Sequence, residues 1–171
     1  MPADHLNVIE RALIDELRNP TGSPWPSGSV TVFGQFPETS DIKYPCIIIE
    51  HVANGLETQF MGQKATFGSG STEKTSEIYG MGFSIWVAVD KESYLSVVPP
   101  GEAEAVQYKQ RRLINYLQQQ VANILMDVVF DATLTEVIER HFQGFRNMTY
   151  DSSREVWAAR TSLLITFLNY R

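Results

Sequence analysis

Cysteine is nearly absent. The single Cys46 in 171 residues excludes an internal disulfide and says nothing firm about compartment. No run approaches the roughly 20 apolar residues that a membrane-spanning helix needs. Positive charge is also short: 14 Lys and Arg against 20 Asp and Glu leave a net charge of −6. That balance argues against sequence-independent DNA binding, which needs a basic face. The N-terminal MPADHLNVIERAL has acidic residues and no long apolar stretch, so no signal peptide is expected. The chain reads as a soluble protein made and kept in a cytoplasm.

Catalytic patterns are missing too. The three histidines, His5, His51 and His141, are far apart and fit no metal-ligand spacing. Cys46 and His51 are five residues apart on an expected strand, so their side chains should point to opposite faces. Read this way, Cys46 is a small buried residue and His51 a surface one. No Ser sits in a Gly-x-Ser-x-Gly elbow, and no carboxylate pair stands out. Gly68 to Thr75 comes near a phosphate-binding loop, but Glu73 stands where the second Gly belongs, and a strand follows instead of a helix. A flexible Gly/Ser loop is the simpler reading. No catalytic residue, cofactor site or metal site is expected.

What is present is amphipathic structure. From about Glu102 to about Phe130, Val106, Leu113, Ile114, Leu117, Val121, Ile124, Leu125 and Val128 form one apolar stripe at helical spacing. The spacing predicts a helix roughly 40 Å long. Residues 4–18 predict a shorter helix through Leu6, Ile9, Leu13 and Leu17, stopped by Asn19 and Pro20. In the Pro-rich loop that follows, Trp25 reads either as a lid over the core edge or as a contact with a partner chain.

The remainder reads as sheet. Residues 30–36 and Cys46 to Val52 are strand-like, and the three isoleucines at 47–49 imply cover on both faces. Residues 54–76 are Gly-rich and polar and read as a long flexible loop or arm, with Phe60, Met61 and Phe67 as its apolar anchors. In 77–90, Tyr79, Met81, Phe83, Ile85, Val87 and Val89 alternate without a break, and this face should pack on the long helix. The opposite face, Gly80, Gly82, Ser84, Trp86 and Ala88, is small and uncharged, so something is expected to approach it closely. Residues 91–101 read as loop and 134–148 as a mixed strand. Asp151 to Ser153 read as a hairpin turn, and 154–170 as a last strand with two apolar faces. The fold class is α+β in a single domain: a mainly antiparallel sheet packed by one long helix and a short N-terminal helix. Arg111, Arg112, Arg140, Arg146, Arg154 and Arg160, spread over the C-terminal half, read as solvated faces or as one side of an ionic subunit interface.

This order of elements resembles the tail terminator or tail completion proteins of long-tailed viruses of bacteria and archaea. The likeness is carried by YPCIII at 44–49, the helix over 103–126 and VWAARTSLLITFL at 156–168, and covers nearly the whole chain. The length of the 54–76 loop and the position of Trp25 depart from that pattern. The resemblance implies a structural virion protein that forms a ring, typically of six copies, at the head–tail joint. Its partners would be other copies of itself, the tail tube protein and the neck or connector protein. DNA would pass through the ring without sequence-specific binding, and no membrane would be involved. Gly80, Gly82, Trp86, Leu164 and Leu168 are the candidate subunit interface. Alternatives are another neck or tail-tube ring of the same virion, or an enzyme or small-molecule binding domain with 54–76 as a lid.

Overall fold

The computed structural model describes residues 5–35, 37–38, 41–52, 63–67, 74–129, 136–145 and 148–170. Helix α1 spans His5–Arg18 and completely buries Ile9, Leu13 and Leu17, the i, i+4 series that lies on one side of a helix. The Asn19 amide donates to Asp15 O at 3.0 Å and closes its last turn. The chain then runs through a loop whose Trp25 enters the core, and continues as β1 (Thr31–Phe33) and β2 (Cys46–His51).

Strand β3 (Gln63–Phe67) pairs with the first part of the long strand β4 (Lys74–Asp90). β5 (Tyr94–Val97) and β6 (Val106–Lys109) form a separate two-stranded ribbon, and helix α2 follows at Gln110–Asp127. The chain closes with β7 (Glu136–Phe142), β8 (Thr149–Asp151) and β9 (Val156–Tyr170). The main sheet has seven strands in the order β1-β2-β4-β9-β7, with β3 added beside β4 and β8 beside β9. Among the described strand pairs of this sheet, only β1–β2 is parallel. The fold is α+β, a mainly antiparallel sheet with the helices packed against it.

Strand alternation sorts the two faces of the sheet. Met81, Phe83, Ile85, Val87 and Val89 of β4 share one core with Leu163, Ile165 and Phe167 of β9 and with the apolar stripe of α2. The stripe is the one read from the sequence, from Leu113 to Val128. In β2, Ile47 and Ile49 join this core while Cys46 and Ile48 join a second, smaller cluster on the opposite face. The isoleucine run is covered on both sides, as its composition implies. The α2 C-terminus ends on Arg140 of β7, whose guanidinium donates to the carbonyls of Met126 and Val128. This cation meets the negative end of the helix dipole.

Three expectations need correction. The long helix begins at Gln110, not near Glu102, and its 18 residues make it roughly 27 Å long at 1.5 Å per residue. Val106 to Lys109 carry apolar residues at both helical and strand spacing, and the strand wins. Tyr108 of β6 stacks on Tyr116 of α2 with ring centroids 4.4 Å apart, and Gln110 turns the chain at φ +48°. The 91–101 segment is not all loop, since it contains β5. Pro99 to Glu102 form the turn after it, where the Glu102 amide donates to Pro99 O at 3.0 Å. The 54–76 segment is not one open loop either. Its described part is β3 and the start of β4, an antiparallel hairpin in which Gln63 faces Ile78 and Phe67 faces Lys74. Residues 54–62 and 68–73 lie outside the described residues.

Candidate assembly interface

The helices cover one face of the main sheet. Among the described residues, no helix covers the other. Register places Trp86 between Ile48 of β2 and Arg160 of β9 in one row across the sheet. Directly paired residues in an antiparallel sheet point to the same side. The neighbouring rows join Glu50, Ser84 and Ser162, and Cys46, Ala88 and Ala158. Farther along, Gly82 pairs with Leu164, Gly80 with Thr166 and Ile78 with Leu168.

This face is neither an ordinary wet surface nor a closed core. Ile42 and Tyr44, from the loop between β1 and β2, pack against its Cys46–Ile48–Ala88–Val156 cluster. Beside them lies a shallow hollow of about 220 Å³ lined by Ile48, Trp86, Ala88 and Ala158. The Cys46 thiol at its floor is pushed up to about 12, first by burial and then by the nearby Asp90 carboxylate. A thiol held protonated is a poor nucleophile. Burial also raises the Tyr44 hydroxyl, with Cys46 adding to it.

One charged group stands in the middle of this face. Arg160 Nε donates to Ser84 Oγ at 2.8 Å, and its guanidinium lies 5.3 Å from the centre of the Trp86 ring. Ser84 is only 1 % exposed, so the hydroxyl is a fixed anchor. Hydrogen bond and cation–π contact together hold an exposed cation in one orientation. Among the described residues, no carboxylate lies within ion-pair reach of it. At the end of the face, Asp151 accepts from the Ser153 hydroxyl and amide and from the Arg154 amide. These bonds hold its carboxyl below the usual aspartate range and fix the β8–β9 turn.

The candidate residues divide as follows. Gly80, Gly82, Trp86 and Leu164 belong to β4 and β9 on this one face. Leu168 has a register position opposite Ile78 and Glu136. Phe67 ends β3, and Phe60 and Met61 lie outside the described residues. Trp25 is 3 % exposed and packed in the main core, beside the Pro24 carbonyl that accepts from Tyr116. Its place is the lid position, where no partner can reach the ring without opening the core. Cys46 and His51 do point to opposite faces. His51 is not a free surface residue: it lies half-buried beside Phe83, with its Nε2 buried and without a hydrogen-bond partner among the described residues. The Arg160–Ser84–Trp86 arrangement is missed by sequence reading, because 76 residues separate Ser84 from Arg160. Only the β4–β9 register brings them together.

No protein-family model matches the chain, and no curated protein matches its sequence. No helix among the described residues is long and apolar enough to cross a membrane.

Proposed function

We propose that this protein is a ring-forming structural subunit of the head–tail joint of a long-tailed virus, a tail terminator or tail completion protein. In that role it caps the tail tube and connects it to the neck. The observation that carries the reading is the sheet face that no helix among the described residues covers, built of small, half-buried apolar residues around one oriented cation, Arg160. A ring subunit must offer each of two neighbours a different surface, and a face of this kind supplies one of them. The core of a protein–protein contact is enriched in aromatic residues and Arg; Trp86 and Arg160 stand at the centre of this face, with Glu50, Asp90, Asp151 and Arg154 around them. The acidic net charge suits a ring through which DNA slides without being held.

Electron microscopy of the purified protein, alone and mixed with its tail tube, tests the reading. Closed rings seated on tube ends are expected. Particles that never close into rings and never bind tube ends would remove it.

A further inference from the structure

A groove of about 610 Å³ runs along α2, between the loop after α1 and the turn after β5. It shares no residue with the sheet-face hollow. Both of its walls are tied in place. In the loop after α1, Gly22 and Ser23 take positive φ angles of 81° and 47°. The Glu16 carboxylate accepts from the Thr21 amide at 2.9 Å, and the Ser23 amide donates to Pro20 O at 3.1 Å. The Tyr116 hydroxyl donates to the Pro24 carbonyl and so fastens this loop to α2. The other wall is Val97, Val98 and the Pro99-Pro100 pair, closed by the Glu102–Pro99 hydrogen bond. A cleft shaped before its ligand arrives loses less on binding.

The floor is one side of α2. Gln120, Asn123 and Asp127 follow one another there at helical spacing. Among the described residues, neither side-chain amide has a hydrogen-bond partner. A side-chain amide offers both a donor and an acceptor, which matches the backbone of an extended peptide. From Gln120 to Asp127 the helix rises about 10 Å, the length of about three extended residues. Val98 and Val129, 54 % and 85 % exposed, add aliphatic surface at the rim. The charge of the groove is negative: Glu16 and Asp127 line it, and no Lys, Arg or His does. Asp127 is partly offset by Arg140, which serves the carbonyls at the end of α2. Arg18, in the same turn of α1 as Glu16, donates to the Val32 carbonyl. Glu16 has no ion-pair partner among the described residues, so it is the carboxylate left for a cation from outside.

We propose that this groove binds an extended peptide segment of a partner protein, one that carries a Lys or Arg beside aliphatic residues. The peptide lies along α2 with its backbone on the Gln120 and Asn123 amides. Its aliphatic side chains rest on Val98 and Val129, and its cation meets Glu16. The partner is defined by this chemistry and not by the ring reading.

A displayed library of random heptapeptides, panned on the protein, tests it. The selected sequences should share a Lys or Arg next to aliphatic residues. Fluorescence anisotropy of a labelled selected peptide should show affinity that falls as salt rises and drops about tenfold in Glu16→Gln, where a charge-assisted bond is lost. Gln keeps an oxygen for the Thr21 amide, and thermal unfolding checks that the fold is kept. If it is not, Val98→Arg takes its place, since that side chain is exposed and the change puts a cation and bulk into the groove. Gln119→Ala, exposed on the same helix outside the groove, should bind as the wild type does. No enriched sequence, enriched sequences without a basic residue, or affinity unchanged in both groove variants would each overturn the proposal. Spermidine that binds as tightly as any selected peptide would overturn it too, and would assign the groove to a free amine.

Discussion

At the position of Cys46, the sequence shows one thiol without a partner, and the fold explains why it stays inert. The side chain is fully buried between Ile48, Ala88 and Val156, and burial raises its pKa to about 12. In the native protein it should therefore resist a thiol reagent at mildly alkaline pH and react at the full rate only after unfolding. The sign for stability follows. The folded state holds the proton more tightly than the unfolded chain, so the contribution is complete below the ordinary thiol pKa. It is lost as pH rises toward the folded value. A native thiol that reacts as fast as the unfolded one would show that the hollow opens freely. Phe83, 2 % exposed, marks the other face of the same sheet. Phe83→Ala should cost roughly 3–5 kcal/mol, as for a large core aromatic. Exposed Gln119→Ala should stay within about 0.5 kcal/mol. Chemical denaturation reads both, and similar small losses would mean that the wrong face has been placed inside. These residues were legible beforehand because strand alternation is local. His51 was not, because its environment is set by Phe83 from another strand.

For whole elements, the same locality decides what sequence can show. The stripe from Leu113 to Val128 could be read directly, since a helix repeats its contacts every turn. Its start could not. Val106 to Lys109 satisfy both periods, and the choice depends on β5, whose own four residues carry little signal. The junction gives a test. Gln110 adopts φ +48°, in the left-handed region that costs a non-glycine residue roughly 1–2 kcal/mol. Gln110→Gly should therefore raise stability, by about 0.5–1 kcal/mol. A β-branched Gln110→Val should lower it. Loss of stability in the Gly variant would show that the side chain, not the backbone, holds this corner. β3 was hidden for a different reason. Its sequence, QKATF, is short and polar, and it becomes a strand by pairing with the part of β4 that extends past β2.

On the scale of the whole molecule, the described helices cover one side of the sheet and none of them covers the other, where Ile42 and Tyr44 pack on part of the face; the hairpin of β3 and β4 continues the sheet along one edge. The small, uncharged face of β4 could be seen in the sequence, but its cation could not, because Arg160 arrives from a strand at the far end of the chain. The hairpin bears on assembly. Strand β4 is flanked by β2 from Phe83 to Ala88 and by β9 along its length from Ser76 to Asp90, and its described core residues run from Met81 to Val89. Strand β3 touches none of that core register, since it pairs with Lys74 to Ile78. Deleting residues 58–74 should thus leave the monomer folded, with its melting temperature and circular dichroism close to those of the wild type. Under the proposed role, the same deletion removes Phe60, Met61 and Phe67, the apolar anchors available to this segment. The shortened protein should accordingly form fewer rings and join fewer tails than the wild type at equal concentration. A shortened monomer that no longer folds would place β3 inside the cooperative core. One that folds and assembles as well as the wild type would show that the hairpin contacts no partner.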